Sequence, residues 1–270
     1  MSCPSCIEGE ILPGEPVGSI QADFNGAYLS PGPPSKTGRG RAVIVCTDVF
    51  GLAIPNPKLV ADRLASRLEC DVWIPDYFAG QPIFPPSYMD TIPERPRHLS
   101  TWEYIVFIIK AIPNLPGLIR NRPAVVDGRL ASFFSLLKEK KNYDKIGAVG
   151  YCFGGSACIR LGATDFVQSI IVCHPGPYTF AEVRKVQVPS AWVCAEIDYT
   201  VPDHKRIATE AEYAKRKGTD QFVDYEFKVY KGTSHGFACR PDTKYPEIAE
   251  AFEQAIDQKV AWFEKTLPVS

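Results

Sequence analysis

Residues 147–157, GAVGYCFGGSA, decide how this chain is read. The apolar start resembles a buried strand and the end resembles a helix. The join consists of Gly150, Gly154 and Gly155 around one cysteine, Cys152. Glycines at such places permit a sharp turn in which backbone passes close to backbone. The spacing is that of a nucleophile elbow, G-x-S-x-G, with a thiol in place of the hydroxyl. A helix beginning just beyond the turn would bring its N-terminal dipole and unpaired N–H groups to Cys152, favouring a thiolate and an oxyanion. A buried thiol in a tight turn is the plainer alternative, and the rest of the chain decides between them.

Working outward, short β-type runs alternate with helical patterns on both sides of this stretch. The strand candidates are 41–47, 71–75, 145–151, 168–174, 190–196 and 222–230, and the helix candidates are 56–69, 123–141, 153–161, 203–217 and 244–266. Continuous apolar strands separated by helices imply an α/β fold: a mostly parallel central sheet with helices on both faces. Asn25-Gly26 lies between two short alternating runs and predicts a hairpin with a two-residue turn at an antiparallel edge of that sheet. Residues 75–123 break the rhythm with many prolines around an apolar helix candidate at 101–112. Insertions of this kind form a cap over a site or pack quietly on the core. The expectation is one domain over 1–270, with an N-terminal extension and hairpin in 1–40 and a candidate lid in 75–123.

Bulk composition narrows the partner. The chain has 270 residues with 30 basic and 31 acidic side chains, a formal net charge of −1. That balance gives no electrostatic reason to expect nucleic acid or an anionic membrane, and a small molecule is the expected partner. The longest apolar segment, 104–112, contains Lys110 and is far short of the roughly 20 residues that span a bilayer. No secretory signal is read at the N-terminus. Nine cysteines, an odd number with Cys46, Cys173 and Cys194 inside apolar runs, suggest a reducing compartment, hence a cytoplasmic location. Cys3 and Cys6 form a lone C-x-x-C, read as a structural or incidental pair rather than a metal site.

Ligands of an open parallel sheet bind beyond the carboxyl ends of its strands. After 145–150 comes Cys152; after 190–196 comes Asp198, in EIDYTVPD; after 222–230 comes His235, in KGTSHGF. Nucleophile, acid, histidine is the chain order of hydrolase triads on this kind of sheet. A histidine can deprotonate the thiol while a carboxylate orients its ring, so each role is filled from a separate strand end. Asp203 competes as the acid, but its place after Pro202 reads better as a helix start. His174, in VCHPG, ends a strand and is read either as lining the pocket or, more plainly, as a satisfied structural histidine.

GYCFGG, EIDYTVP and SHGFACR, in that order, resemble the dienelactone hydrolase family of α/β-hydrolases, whose Cys-Asp-His triad opens a lactone or cleaves a related ester. The likeness runs from about Ala42 to Glu264, and the N-terminal CPSC and hairpin resemble fungal-type members, some of which serve polyketide or other secondary pathways. The resemblance implies Cys152 as nucleophile, Asp198 as acid, His235 as base, and the backbone N–H groups of Phe153 and Val49 as oxyanion hole. It also implies that Asp48, standing where the family has a glutamate, bears on switching the thiol, and that Arg240, with Arg95 or Arg97, holds a substrate carboxylate. No metal or organic cofactor is expected. The function expected is a cysteine-dependent lactone or ester hydrolase acting through a thioester on a bulky, apolar substrate. Beside it stand a cyclase, isomerase or dehydratase of a polyketide-like metabolite on the same scaffold, and a non-catalytic binder. The apolar face of 104–109 suits a homodimer as well as a lid.

Overall fold

The computed structural model describes residues 10–33, 40–91, 102, 109 and 112–268. Eight strands form one sheet: β1 (Ser19–Gln21), β2 (Ala27–Ser30), β3 (Arg41–Cys46), β4 (Asp71–Ile74), β5 (Lys145–Tyr151), β6 (Ser169–Cys173), β7 (Ser190–Ile197) and β8 (Tyr225–Ser234). Their order across the sheet is β1-β2-β4-β3-β5-β6-β7-β8. β4, β3, β5, β6, β7 and β8 run parallel, and the β1–β2 hairpin adds antiparallel to β4, as expected of it. The central strands are buried on both faces, which is why they read as continuous apolar runs.

Two apolar clusters cover the two faces. One face is closed by α1 (Asn56–Leu68) and, at the chain end, the long helix Pro246–Thr266, which contribute Val60, Leu64, Ile256 and Phe263 to one cluster. In chain order the helices between them are α2 (Leu115–Arg120), α3 (Pro123–Lys140), α4 (Phe153–Leu161), α5 (Phe180–Arg184) and α6 (Asp203–Ala214), so Pro246–Thr266 is α7. The opposite face receives Leu130 and Phe133 from α3, Cys158 from α4, Val183 from α5 and Tyr213 from α6. No helix of the described residues is long and apolar enough to cross a membrane.

Three expectations need correction. The hairpin does not turn in two residues: a 3-10 turn at Ala22–Phe24 precedes Asn25, whose φ of 55° and that of Gly26, 78°, complete a five-residue connection. Phe24 is thereby buried against Trp73, ring centroids 4.5 Å apart, a tertiary contact that local turn chemistry does not announce. β8 starts later and ends later than read, reaching Ser234 because a bulge between Ala195 and Ile197 lets the strand end follow β7 to its tip. α6 stops at Ala214, three residues short of the reading. The helix candidate 101–112 and the Cys3–Cys6 pair lie mostly or wholly outside the described residues.

Candidate active site

β3 is followed in sequence by β4 on one side and has β5 on the other, so the connections diverge between β3 and β5. This is the crevice in which parallel sheets bind ligands. The turn after β5 carries Cys152, with φ 53° and ψ −114°, as the residue that caps α4. The strain is accommodated by close packing. A Cβ on Gly150 would stand 2.1 Å from the Gly154 carbonyl oxygen, and one on Gly154 would stand 2.1 Å from the Cys46 carbonyl oxygen. Only hydrogens fit there, so α4 lies directly against the end of β3. Phe153 opens α4, and the N–H groups of a first helical turn have no intrahelical acceptor.

Strand order then delivers the partners side by side, because β5, β6, β7 and β8 are successive in both sequence and space. Asp198 follows β7 and His235 follows β8. His235 Nδ1 lies 3.0 and 3.1 Å from the two Asp198 carboxylate oxygens, with both side chains buried. The Thr200 and Val201 amides donate to Asp198 Oδ1 at 2.9 and 3.2 Å. The Thr200 hydroxyl lies 2.6 Å from the same oxygen and 2.7 Å from the Pro175 carbonyl, so its single proton has two acceptors. Burial works to raise the Asp198 carboxyl, but the imidazole and the Thr200 groups together hold it below the usual carboxylate value. Asp198 is thus an ionised, fixed acceptor for one ring nitrogen of His235, which leaves the other ring nitrogen outside this pair.

The backbone of residues 173–176 joins the Cys152 turn to the Asp198 loop. The Cys152 N–H donates to the Cys173 carbonyl at 3.2 Å, the Gly176 N–H donates to the Cys152 carbonyl at 2.7 Å, and the Pro175 carbonyl receives Thr200. Sequence reasoning missed both this bracket and Thr200. An aspartate bonding the amide two residues on is a local signal that D-Y-T carried; the bracket is tertiary and had none.

On the β3 side, Val49 is buried and its carbonyl accepts the N–H groups of Ile83 and Phe84 at 3.0 and 3.2 Å. Asp48 Oδ1 accepts the Phe50 N–H at 3.0 Å, and Asp48 Oδ2 accepts Arg240 Nε at 2.7 Å. Both side chains of this ion pair are at most 1% exposed. Burial opposes the Arg240 charge, yet Asp48 and the neighbouring thiols, Cys152 among them, hold the guanidinium above its usual value. Arg240 is therefore a strut between the β3 and β8 loops as the structure places it. Arg95 and Arg97 fall outside the described residues. Asp203 starts α6 and pairs with Arg206 at 3.1 Å, on an exposed face. The rings of Tyr77 and Phe78 stand 6.4 and 5.5 Å from that of Phe153, forming an aromatic wall beside the turn.

Residues 26–267 match the model of the dienelactone hydrolase family. The chain belongs to that family. It is an ester or lactone hydrolase on an α/β-hydrolase fold. Among its relatives, the hydrolase tropI of Talaromyces stipitatus is 28% identical over 96% of this chain and 94% of its own length. The human carboxymethylenebutenolidase homolog is 25% identical over 94% and 95%. Among solved structures, a dienelactone hydrolase described from Klebsiella pneumoniae superposes with a TM-score of 0.64 at 15% identity, over 88% of this chain and 92% of that one. An α/β serine hydrolase of Xanthomonas campestris, XC6422, gives 0.55 at 12% identity over 97% and 99%, a likeness of fold alone.

Proposed function

We propose that this family member hydrolyses a lactone or carboxylic ester through Cys152, His235 and Asp198, by way of a thioester acyl-enzyme. The observation that supports this most is the buried Asp198–His235 pair, 3.0 Å apart, at the same sheet edge as a cysteine in a strained turn at a helix N-terminus. Asp198 holds the Nδ1–H, so Nε2 takes the thiol proton as Sγ attacks the carbonyl carbon. The oxygen gains the charge and is met by the N–H groups of Phe153 and Val49, each such donor being worth roughly 3 kcal/mol of barrier. Collapse forms the thioester, and the leaving alkoxide takes the proton from His235; in a lactone it stays tethered to the acyl chain. Water then gives a proton to His235 and hydroxide to the acyl carbon, releasing the acid and restoring the thiol.

The aromatic wall of Tyr77, Phe78 and Phe153 favours an apolar acyl or ring portion, and the engagement of Arg240 with Asp48 favours a substrate that needs no arginine at that place. The small molecule is the only partner proposed. Cys46, Cys70, Cys158, Cys173, Cys194 and Cys239 are buried thiols, which supports a reducing, cytoplasmic setting. The test is turnover of p-nitrophenyl acetate and a panel of apolar lactones by wild type, Cys152→Ala and His235→Ala, with intact-mass detection of an acyl adduct. Activity lost in both variants, with an adduct on Cys152, is expected. Turnover surviving in Cys152→Ala overturns the thioester route.

A further inference from the structure

At the ends of β5 and β6 two neighbouring residues other than glycine have positive φ: Cys152, at 53°, and His174, at 33°. The first is the nucleophile turn. The second takes no part in the chemistry above, although the backbone around it forms the bracket between nucleophile and acid. His174 is 1% exposed, and neither of its ring nitrogens has a hydrogen-bond partner on any other described residue. No other described residue offers the ring a hydrogen bond, as the reading of a satisfied structural histidine would require. Its ring packs on the catalytic imidazole, with centroids 5.0 Å apart and planes inclined at 59°. The rings of Tyr151 and Phe237 also stand near it, at 6.0 and 5.9 Å.

A left-handed backbone at a residue with a side chain costs energy, and so does an unpaired buried polar ring. Glycine would relieve the first and phenylalanine the second. Both costs fall on one residue, and what they secure is a ring against the ring of the base. We propose that His174 is a positioning residue for His235, its ring holding the catalytic imidazole in plane with Asp198 and screening it from water. The role rests on the hydrolase reading for its effect on turnover, but the contact itself does not.

The groups facing His174 agree with a neutral ring. They are His235 after β8, Arg240 in the following turn with its charge offset by Asp48, Lys259 on α7, and Tyr151 on β5. Burial first, then the charges of His235, Arg240 and Lys259, push the His174 ring well below the usual histidine value. The residue thus offers shape and dryness to His235, not charge. Truncating it admits water to the His235 ring, which favours the imidazolium and raises the pH at which the base becomes available.

The experiment compares wild type, His174→Ala and His174→Phe in kcat and KM for p-nitrophenyl acetate from pH 5 to 9. The His235 ring is titrated in parallel by NMR without substrate, its signal assigned by its loss in His235→Asn. His174→Ala should lower kcat by about tenfold or more while KM changes little, as misplacing a reacting group does. Its acid limb and His235 titration should move up together by about half a pH unit or more. His174→Phe, which keeps the ring contact, should restore most of kcat and the wild-type titration. Where His174→Ala does not fold, His174→Asn, whose side chain tolerates positive φ, replaces it and is expected to behave alike.

Wild-type kcat and titration in the truncated variant overturn the proposal, as does an equal loss in the Phe variant with an unmoved titration. A protein without ester turnover whose His235 titration still shifts on truncation would refute the hydrolase mechanism and leave the positioning role standing.

Discussion

The Asp48–Arg240 pair offers the sharpest test of how the two loops flanking the site are held. Nε donates to Oδ2 at 2.7 Å with neither side chain more than 1% exposed. Asp48→Asn keeps an oxygen for the Phe50 N–H but leaves a buried guanidinium without its counter-charge; Arg240→Met leaves a buried carboxylate. Breaking one partner of such a pair costs roughly 3–5 kcal/mol, whereas removing both charges is often neutral. A chain of 270 residues loses stability at about 0.6 kcal/mol per degree near its midpoint, so each single variant should melt about 5–9 °C lower. Asp48→Asn/Arg240→Met should recover most of that loss. Urea unfolding at pH 7, with equal m values across the set, gives the cycle. Single losses below about 1 kcal/mol, or a double variant as unstable as the two losses added, would refute the account of a buried, mutually dependent strut. Activity distinguishes stability from function: the double variant should stay well below wild type in kcat, because Val49, the proposed oxyanion donor, is the chain neighbour of Asp48 and loses the ion pair that anchors that loop.

Three further outcomes follow from the geometry. Gly154→Ala places a Cβ 2.1 Å from the Cys46 carbonyl oxygen and should cost several times the roughly 1 kcal/mol of an average substitution, read as insolubility or a large drop in Tm; Gly128→Ala in α3, with nothing within 4 Å, should instead gain about 0.5–1 kcal/mol. Thr200→Val removes a hydroxyl from Asp198 while leaving two amides on it, and should lower kcat about tenfold with a stability loss of about 1 kcal/mol, measured by turnover and urea unfolding. Two buried groups contribute to acid sensitivity. His174 stays neutral when folded and binds a proton when unfolded, so its contribution is intact above about pH 6.5 and is lost as pH falls below it, by up to about 1.4 kcal/mol per unit. Asp198, held below its unfolded value, adds a further loss only below about pH 4. His174→Phe should therefore flatten the stability curve between pH 7 and 5, and an unchanged slope would refute this origin.

The sheet was legible because its central strands are buried on both faces and so appear as unbroken apolar runs, and because Gly150 and Gly154 mark a contact too close for any side chain. Asp198 and His235 were legible because parallel strands expose their ends at one edge, so a residue's place after its strand is also its place in the site. The five-residue hairpin turn was not, since Phe24 is buried by Trp73 and not by its own neighbours. α5 was overlooked although Thr179 and Glu182 form a capping box in sequence, with the Glu182 N–H donating to Thr179 Oγ1 at 3.2 Å; a helix of five residues has no periodicity to read. The engagement of Arg240 was hidden for another reason. Its partner lies 192 residues away, and nothing local separates an arginine reaching for substrate from one already paired.

These cases share one cause, which also bears on how the site holds its shape. β5 to β8 lie in sequence order, so each crossover places one more candidate residue beside the last without any long-range search. That order sets position only to within a strand spacing, about 5 Å, whereas the proposed proton transfer between cysteine and histidine demands hydrogen-bond reach. The finer adjustment comes from contacts that cross between strand ends: residues 173–176 bonded to both Cys152 and Thr200, His174 on His235, and Arg240 on Asp48. Each of these is buried or part-buried, and each joins loops that the strand order alone would leave independent. Variants at them should therefore alter kcat and pH dependence while the sheet stays folded, and that division follows from the sheet supplying coarse placement and the cross-links the last few ångströms.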